Sequence, residues 1–381
     1  MEVGGAQKRF PLVDYSAMHG DVLEAVLSRA ALVDLVPASL VSKSWNHAVS
    51  SSLRWLNTPK PWLFVHTQSI RSPHAVTSTR AYDHRSRVWV HVRNESSSRH
   101  VSAPLRSSHS NLLYTLSPST LSFSFDALNV EWHHVGAPKV WRTDPIVARV
   151  GRSIIIAGGT CDFEDDPLAV EVYDTEDATW RTCESMPAIL KDSSTSTWLS
   201  TAATTGKLVV TEKLTGSTYC FDPETKSWSR PYSLRPDQRM SLSIIGFSDT
   251  RLVLLGVIGD VGNVSGIKLW EVDTDSFECA EIGEMPAVLV GKLKSETFGM
   301  SSVNMCMAGA FGHIYNSSEA EEVVVFEVRG GGRCEWWSFK NAAAGEGTGR
   351  MERVVFTSSE VGVGDLLRAV QSKKGTFSVT T

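Results

Sequence analysis

The 381-residue sequence lacks the features that mark secreted, membrane-spanning and metal-binding chains. Its six cysteines never form a Cys-x-x-Cys pair, so neither a zinc site nor a disulfide framework is indicated. No apolar stretch approaches the roughly 18 residues that cross a bilayer, and the N-terminal residues lack the apolar segment of a secretory signal. The net charge of −5 gives no general attraction to nucleic acid or anionic membranes. We therefore expect a protein of the cytosol or nucleus, without a cofactor or metal, whose partners include neither nucleic acid nor membrane.

The sequence also lacks the motifs of common enzyme classes. It contains no Gly-x-Ser-x-Gly turn, no P-loop and no Rossmann glycine pattern. The histidines show neither the helical nor the cysteine-paired spacing of metal ligands. The acidic stretch from Asp162 to Asp166 lacks the spacing of a calcium loop. These absences favour a protein that is not an enzyme.

Tryptophan, in contrast, is abundant, and its positions are regular. Twelve are present. Four segments share the pattern aromatic–Asp, five residues, Trp: Tyr82–Trp89, Phe125–Trp132, Tyr173–Trp180 and Phe221–Trp228. The intervals between their tryptophans are 43, 48 and 48 residues. An Asp at the end of a strand favours a tight turn because its carboxylate can accept backbone N–H groups. Each segment therefore predicts a β-hairpin, and short β-branched runs upstream extend the unit to four strands.

Two later units carry weaker versions of this pattern. In one, Asp273 leads into Phe277, which we interpret as a replacement for tryptophan; in the other, a valine-rich run leads through three glycines to Trp336. The run Met186–Leu190 has a near copy at Met285–Leu289, which supports the same register. A four-stranded repeat of about 48 residues has the size of a propeller blade. The sequence therefore predicts a mainly β fold, a six-bladed β-propeller.

The two ends of the repeat region indicate how the ring closes. The first unit begins near Pro61–Val65 and has room for only three strands before Trp89, whereas an apolar run, Arg353–Phe356, follows the sixth unit. Because unpaired strand edges invite aggregation, we expect this run to pair with Leu63–Val65 and complete the first blade. The predicted organisation is a flexible N terminus (1–17), a helical module (18–56), the propeller (57–371) and a flexible tail (372–381).

The repeat resembles the kelch repeat, which is marked by a double glycine after the second strand and a Tyr-Asp…Trp set in the third and fourth strands. One unit carries the full set, with Gly158-Gly159, Tyr173-Asp174 and Trp180. The other units lack the glycine pair, as at Leu255-Gly256. The resemblance implies a kelch-type propeller, and function in such a fold lies on loops rather than on strands.

Residues 18–56 show helical rather than strand periodicity. The Asp21–Glu24 spacing predicts a capping box at the start of a first helix. A second helix is expected near Leu35, with Pro37 inside its first turn. A third helix is predicted from apolar residues spaced by four: Val41, Trp45 and Val49. Three short helices barely form an independent core, so we expect a partner to stabilise them.

This helical module resembles an F-box in three stretches: Asp21–Arg29, Leu32–Leu35 and Val41–Trp45. The resemblance implies docking onto a Skp-type adaptor, which links to a cullin-RING ligase. It assigns that contact to Met18, Val22, Val26, Leu27, Leu32, Leu35, Val41 and Trp45. The family usually opens with Leu-Pro where this sequence has Met18-His19, a departure that bears on the strength of docking. The alternative is that the helices merely cap the propeller.

The F-box and kelch resemblances together cover nearly the whole chain, a combination frequent in plants. They imply the substrate-recognition subunit of an SCF (Skp–cullin–F-box) ubiquitin ligase, whose propeller holds a client protein for ubiquitination and proteasomal degradation. The stretch 59–67 resembles plant members that recruit phenylpropanoid and flavonoid enzymes, which implies chalcone synthase or phenylalanine ammonia-lyase as a client. Two alternatives stay open: a kelch scaffold independent of any ligase and, more weakly, a galactose-oxidase type of enzyme, for which no metal-ligand set is evident.

Client binding is expected on the face that carries the loops between second and third strands and the loops between blades. These are the longest and least regular segments of the propeller. A cluster of cations there would suit an acidic client, and arginine is favoured at interface hot spots. The residues predicted for this contact are Arg99, Arg106, Lys139, Arg142, Arg235 and Arg239.

Overall fold

A computed structural model describes residues 20–55, 60–69, 77–94, 103–162, 165–260, 263–295, 299–330, 333–343, 352–371 and 375–380. The chain divides into two compact units, one up to Pro59 and one from Lys60 onward. The predicted flexible N terminus, 1–17, lies outside the described residues. None of the described helices is long and apolar enough to cross a membrane.

The first unit contains three helices: α1 (Asp21–Leu27), α2 (Leu32–Val41) and α3 (Lys43–Trp55). The predicted capping box is wrong, because Gly20 is the N-cap and Asp21 is the first helical residue. The Glu24 N–H donates to the Gly20 carbonyl oxygen at 3.2 Å. The N-cap Gly20 has φ 72°, a backbone conformation that suits glycine.

Helices α2 and α3 also differ from the prediction. Helix α2 starts at Leu32, so Pro37 lies in its interior rather than in its first turn. Val41 ends this helix instead of belonging to the third one. The reason is Ser42, which is extended at φ −163° and whose Oγ accepts the Trp45 N–H at 3.2 Å. Ser42 is thus the N-cap that separates the two helices.

The second unit is a propeller of six antiparallel blades, counted in chain order from the first strand. Blade 1 begins with β1 (Trp62–Ser69), β2 (Thr77–Asp83) and β3 (Val88–Asn94). Blade 2 contains β4 (Leu113–Leu116), β5 (Thr120–Ser124) and β6 (His133–Gly136). A single antiparallel bridge between Arg106 and Tyr114 takes the place of its innermost strand.

Blades 3 to 6 each have at least four strands, with the first strand of each nearest the axis. Blade 3 is built from β7 (Ile146–Val150), β8 (Ser153–Ala157), β9 (Val170–Asp174) and β10 (Thr179–Thr182). Blade 4 is built from β11 (Leu199–Ala203), β12 (Leu208–Glu212), β13 (Ser217–Asp222), β14 (Ser227–Trp228) and β15 (Tyr232–Ser233). Blade 5 is built from β16 (Met240–Ser248), β17 (Arg251–Asp260), β18 (Asn263–Val272) and β19 (Cys279–Glu284). Blade 6 is built from β20 (Val303–Ala308), β21 (Phe311–Asn316), β22 (Glu322–Arg329) and β23 (Arg333–Lys340).

Two helical turns follow blades 3 and 5. They are a 3-10 helix at Ala188–Ser193 and the short helix α4 at Ala287–Lys292. The apolar core lies between neighbouring blades: one buried cluster joins strands of blades 3 and 4, and another joins blades 5 and 6.

The C-terminal residues complete blade 1. Strand β24 (Glu352–Ser359) pairs with β1 so that Val65 lies opposite Phe356. Helix α5 (Val363–Gln371) leads to β25 (Gly375–Thr380), which pairs along β3. Residues 375–380 are therefore not the flexible tail expected from the sequence. They cover an edge of β3 that would otherwise present unpaired backbone groups.

The Asp of the repeated hairpin acts as the sequence indicates. The Asp222 carboxylate accepts the N–H groups of Glu224 and Thr225 at 2.8 and 3.3 Å. Equivalent carboxylate-to-backbone bonds form at Asp83, Asp126, Asp174 and Asp273. These bonds hold the chain reversal between the third and fourth strands of five blades.

The Trp of the hairpin has two roles. Trp180 lies directly opposite Tyr173 in the strand pair, with ring centroids 5.3 Å apart. Its indole N–H also donates to the Gly136 carbonyl oxygen of the preceding blade at 3.0 Å. Similar bonds run from Trp89 and Trp228 to carbonyls at or just beyond the end of the preceding blade's outer strand. The repeat therefore joins neighbouring blades as well as closing its own hairpin.

Two units depart from this arrangement. In blade 2, β6 begins only at His133, which pairs with Phe123, so Phe125 and Trp132 are not opposite each other. In blade 5, Cys279 rather than Phe277 occupies the position of the missing Trp, opposite Val272. The interpretation of Phe277 as a Trp replacement is therefore wrong. It sits in the turn at φ 60° and stacks on Tyr232 of blade 4 at 4.1 Å.

The double glycine of blade 3 is required by geometry. Gly158 and Gly159 have φ values of 68° and 100°. A Cβ on Gly158 would lie 2.2 Å from the Ser194 carbonyl oxygen. In blade 5 the chain does not turn at Gly256 but continues along β17. Gly256 is tied to packing rather than to a turn, because a Cβ there would lie 2.6 Å from the ring of the buried Trp270.

Candidate functional site: the loop face and its axial pocket

One face of the propeller carries the loops that leave the second strand of each blade and those that enter the next blade. We call it the loop face. Its main described segments are 137–145, 183–198, 213–216, 234–239, 285–295 and 317–321. The opposite face carries short turns, such as 151–152 and 175–178. Because the loop face has the longer and more varied segments, it is the candidate binding surface.

Arg142, one of the cations predicted for client binding, is not accessible on this face. Its side chain is 1% exposed, and its Nη2 lies 2.6 Å from a carboxylate oxygen of the equally buried Glu171. Its guanidinium also donates to the carbonyl oxygens of Gly158 and Ala169. The prediction for Arg142 is corrected: it holds two loops of blade 3 together, which a sequence pattern of exposed cations cannot reveal.

Two of the remaining predicted cations bind groups of the propeller itself, and two others are exposed. Arg235 is exposed, but its guanidinium donates to backbone carbonyls of Leu214 and Gln238 at 3.1 and 3.3 Å, and so supports its own loop. Arg106 is half-buried and pairs with Asp144. The side chains of Lys139 and Arg239 are exposed on the loop face. Arg99 lies outside the described residues.

Arg239 is free of the core but has a local partner. Its Nη2 lies 2.7 Å from an Asp237 carboxylate oxygen, and hydrogen bonds from Arg239 lower the pKa of Asp237 to about 2. The loop face therefore does not present the dense cluster of uncompensated cations that the sequence predicts.

Sequence reasoning missed the apolar residues of the loop face. Four large apolar side chains are exposed there: Ile189 (73%), Trp198 (47%), Leu214 (46%) and Val288 (77%). The only other large exposed hydrophobic residue in the described part of the propeller unit is Val370 on α5. Exposed apolar groups concentrated on one face are typical of protein interaction sites.

The repeated Met-Pro-Ala run contained a signal for two of these residues. Met186 and Leu190 are buried at 2% and 1%, whereas Ile189 between them is exposed. In the second copy, Met285 is buried and Val288 is exposed. Each copy anchors a short helical turn through its Met and presents a β-branched side chain to solvent.

Residues 106–110 take the place of the inner strand of blade 2 and occupy the axis of the propeller. The Ser108 carbonyl oxygen accepts from Thr201 Oγ1 at 2.9 Å, and Ser108 Oγ accepts the Val147 N–H at 3.0 Å. The Ser110 carbonyl oxygen accepts the Ser358 N–H at 2.8 Å. These bonds reach blades 4, 3 and 1, so the segment separates a pocket on the loop face from one on the opposite face.

The axial pocket on the loop face has a volume of about 320 Å³. Its walls are rich in hydroxyl groups, from Ser108, Ser110, Ser200, Thr201, Ser302 and Ser317. Desolvation lowers the pKa of Lys213 in this pocket to about 8, against an opposing effect of Asp144, and that of His109 to about 4. Within the described ranges, no group of three or more His, Cys, Asp or Glu residues is placed to hold a metal ion.

In the first unit, the residues predicted to contact an adaptor fall into two sets. Leu27, Leu32 and Leu35 are buried at 5%, 1% and 0%. They form the core of the three helices rather than an open surface, which corrects their assignment. Met18 lies outside the described residues.

The other predicted residues are accessible. Val22, Val26 and Val41 are exposed at 60%, 50% and 62%, and Trp45 is half-buried. Leu40, which the sequence reasoning did not select, is exposed at 63%. These four aliphatic residues of α1 and α2 are the large exposed hydrophobic residues of the first unit among the side chains that the structure describes.

A three-helix module before a six-bladed propeller defines a class of modular binding proteins, and comparisons with known proteins identify the family. Residues 16–57 match the F-box domain. An F-box/kelch-repeat protein of Arabidopsis thaliana is 44% identical over 377 residues, which cover 96% of this chain and 95% of that protein. The chain therefore belongs to the F-box/kelch-repeat proteins.

Proposed function

We propose that this protein is the substrate-recognition subunit of an SCF ubiquitin ligase, with no catalytic activity of its own. The F-box would bind a Skp-type adaptor, and the propeller would bind the client for ubiquitination and degradation. The observation that carries the proposal is that each of the two units has its own set of exposed apolar side chains. Val22, Val26, Leu40 and Val41 lie on the helices, and a second set lies on the loop face.

The helical set supports adaptor binding. A module of three short helices buries little apolar area by itself, and leaving four large aliphatic side chains in water is unfavourable unless a partner covers them. The match of residues 16–57 to the F-box domain supports a Skp-type protein as that partner. The cytosol or nucleus is the corresponding site of action.

The loop-face set supports client binding. Trp198 and the exposed aliphatic residues of the loops provide anchors of the kind that dominate protein interfaces, and Lys139 and Arg239 add charge at exposed positions. For the client, the resemblance of residues 59–67 favours a phenylpropanoid or flavonoid enzyme. Chalcone synthase and phenylalanine ammonia-lyase are therefore the first proteins to test.

The deciding experiment is co-purification of the full chain with a Skp-type adaptor. The double substitution Val22→Asp and Val41→Asp should abolish co-purification, since it places charges in an interface that would desolvate them. Val370→Asp is the matched control, because it also charges an exposed valine but lies in the propeller unit. Retention of the adaptor by the double variant would argue for a kelch scaffold that works without a ligase.

Client binding is tested with the same purified wild-type and variant proteins. Chalcone synthase and phenylalanine ammonia-lyase are each tested for binding and for ubiquitination in the reconstituted ligase. Binding without adaptor-dependent ubiquitination would contradict the ligase role, whereas adaptor binding without either client would contradict only the choice of client.

A further inference from the structure

The axial pocket on the loop face contains more positive charge than its surroundings balance. Three cationic side chains line it, those of Arg106, Lys213 and Arg353, and its described lining residues include no carboxylate. Arg106 is paired with Asp144. The Asp144 carboxylate also accepts hydrogen bonds from Ser196 Oγ at 2.6 Å and from Thr197 Oγ1 at 2.8 Å, so its acceptor capacity is largely used.

Lys213 is the most buried of the three cations. It is 6% exposed, and its Nζ donates to the Thr197 carbonyl oxygen at 2.9 Å and to Asn304 Oδ1 at 3.2 Å. Both acceptors are neutral, and a lysine ammonium has three protons to donate. In the described part of the chain, no carboxylate forms an ion pair with this ammonium. A buried charge in that situation is unfavourable until an anion compensates it.

Arg353 adds a second uncompensated charge from another blade. It lies on β24 and is half-buried. Desolvation, and then the nearby Arg106, lower its pKa, against smaller opposing effects of Asp144 and Tyr114. No carboxylate within the described ranges pairs with it either. Lys213 and Arg353 reach the pocket from blades 4 and 1, so the two charges converge on one space from different sides of the ring.

The neutral lining also favours an oxyanion. Ser317 Oγ accepts from Asn304 Nδ2 at 2.9 Å, which leaves its own O–H proton available to a ligand. Other hydroxyls line the same walls. Charged oxygen ligands with several acceptor sites make the strongest hydrogen bonds to such donors, and about 320 Å³ is within the size range of small-molecule sites.

We propose that the axial pocket binds the phosphoryl group of a small molecule, with Lys213 and Arg353 as its charged contacts. A phosphoryl dianion matches the two uncompensated cations, and its oxygens match the surrounding hydroxyl donors. The site goes beyond client recognition, because it is formed by groups at the axis and not by the exposed apolar residues. Lys213 is followed directly by Leu214 of the loop face, so an occupied pocket would border the client surface.

The test measures binding to the purified full-length protein by titration calorimetry and thermal unfolding. The probes are inorganic phosphate and glucose 6-phosphate, with glucose as the uncharged control and sodium chloride to match ionic strength. Both phosphates should raise the Tm of the wild type, and glucose should not. Lys213→Met should weaken phosphate binding about tenfold or more, as expected for the loss of a charge-assisted contact.

Two further variants keep the result interpretable. Arg353→Gln removes the second cation and should also weaken binding, which matters if Lys213→Met folds poorly. Arg239→Gln removes an exposed cation of the same face outside the pocket and should bind phosphate like the wild type. The proposal is overturned if the wild type shows no phosphate-specific shift, or if both pocket variants retain wild-type affinity.

Discussion

Arg142 and Glu171 form an ion pair of 2.6 Å in the interior of blade 3, with both side chains 1% exposed. Glu171 also accepts the backbone N–H groups of Lys139 and Val140 at 2.8 and 3.2 Å. The pair therefore fixes the loop that enters blade 3 against the strand β9. In a surface salt bridge, water can solvate either charge when the other is lost. Here both side chains are buried, so neither charge can be solvated in that way.

We expect Arg142→Met to destabilise the propeller strongly. It leaves the Glu171 carboxylate buried without its cation, and breaking a buried pair in this way costs about 3–5 kcal/mol. Urea unfolding of the full chain measures the change in the free energy of unfolding. The exposed Arg239→Met should change it by about 0.5 kcal/mol or less. Equal stability of the two variants would contradict the structural role of Arg142.

The architecture could be predicted from the sequence because its evidence is local and periodic. Asp222 and Trp228 are spaced by a turn whose hydrogen bonds involve neighbouring residues, and the same spacing recurs in other blades. The six-position spacing from Asp to Trp, applied from Asp273, points to Cys279, which the structure places opposite Val272; the aromatic side chain of Phe277 instead suggested the wrong residue. The pairing of β25 with β3 joins residues far apart in the chain, and nothing in the local pattern of 375–380 signals it.

The site was harder to predict than the fold for the same reason. Arg142 and Arg239 are both loop arginines in the sequence, but a carboxylate from β9 buries one and leaves the other in water. Leu27 and Val26 are adjacent and equally apolar, yet only Leu27 faces the core of the three helices. The exposure of Trp198 depends on how its loop packs, which the sequence does not show. The regularly spaced tryptophans of this chain belong to hairpins, so tryptophan alone does not indicate an exposed binding residue.

The apolar residues of the loop face should carry most of the client affinity. The double substitution Trp198→Ser and Ile189→Ser removes two exposed anchors, and hot-spot aromatic residues typically contribute about 2 kcal/mol or more, which corresponds to about 30-fold in affinity. The measurement is quantitative mass spectrometry of proteins that co-purify with this protein when the proteasome is blocked. Val370→Ser, an exposed valine on α5, is the control. Unchanged retention by the double variant would place client binding elsewhere.

Two C-terminal truncations should separate ring closure from edge protection. Ending the chain after Arg350 removes β24, the inner strand of blade 1, and exposes the edge of β1, so aggregation is expected. Ending it after Gln371 removes only β25 and keeps the ring closed. That shorter deletion should remain soluble and unfold cooperatively at a lower temperature. Size-exclusion chromatography and thermal unfolding distinguish the two, and a soluble, cooperative product of the longer deletion would contradict the role of β24 in closure.

Lys213 should make stability depend on pH in a way that Lys213→Met does not. Its pKa is lowered to about 8 in the folded protein and is near 10.4 in an unfolded chain. Between about pH 8 and 10 the unfolded chain therefore binds more protons, and the stability of the wild type due to this group rises with pH. Below pH 8 Lys213 is charged in both the folded and the unfolded protein. The folded protein then bears the full cost of desolvating this charge, on the order of 3 kcal/mol.

The free energy of unfolding of Lys213→Met should accordingly exceed that of the wild type at pH 7, and the difference should shrink by pH 10. The other titratable or charged groups that line the pocket are Arg106, Arg353, His109, Cys306 and Tyr315, and Asp144 and Tyr114 lie close to these charges outside the lining. They are the same in both proteins, so the difference between the two isolates Lys213. Urea unfolding in phosphate-free buffer at both pH values measures it. A difference that stays constant with pH would mean that Lys213 is not a desolvated charge, and the case for an anion in the axial pocket would lose its strongest support.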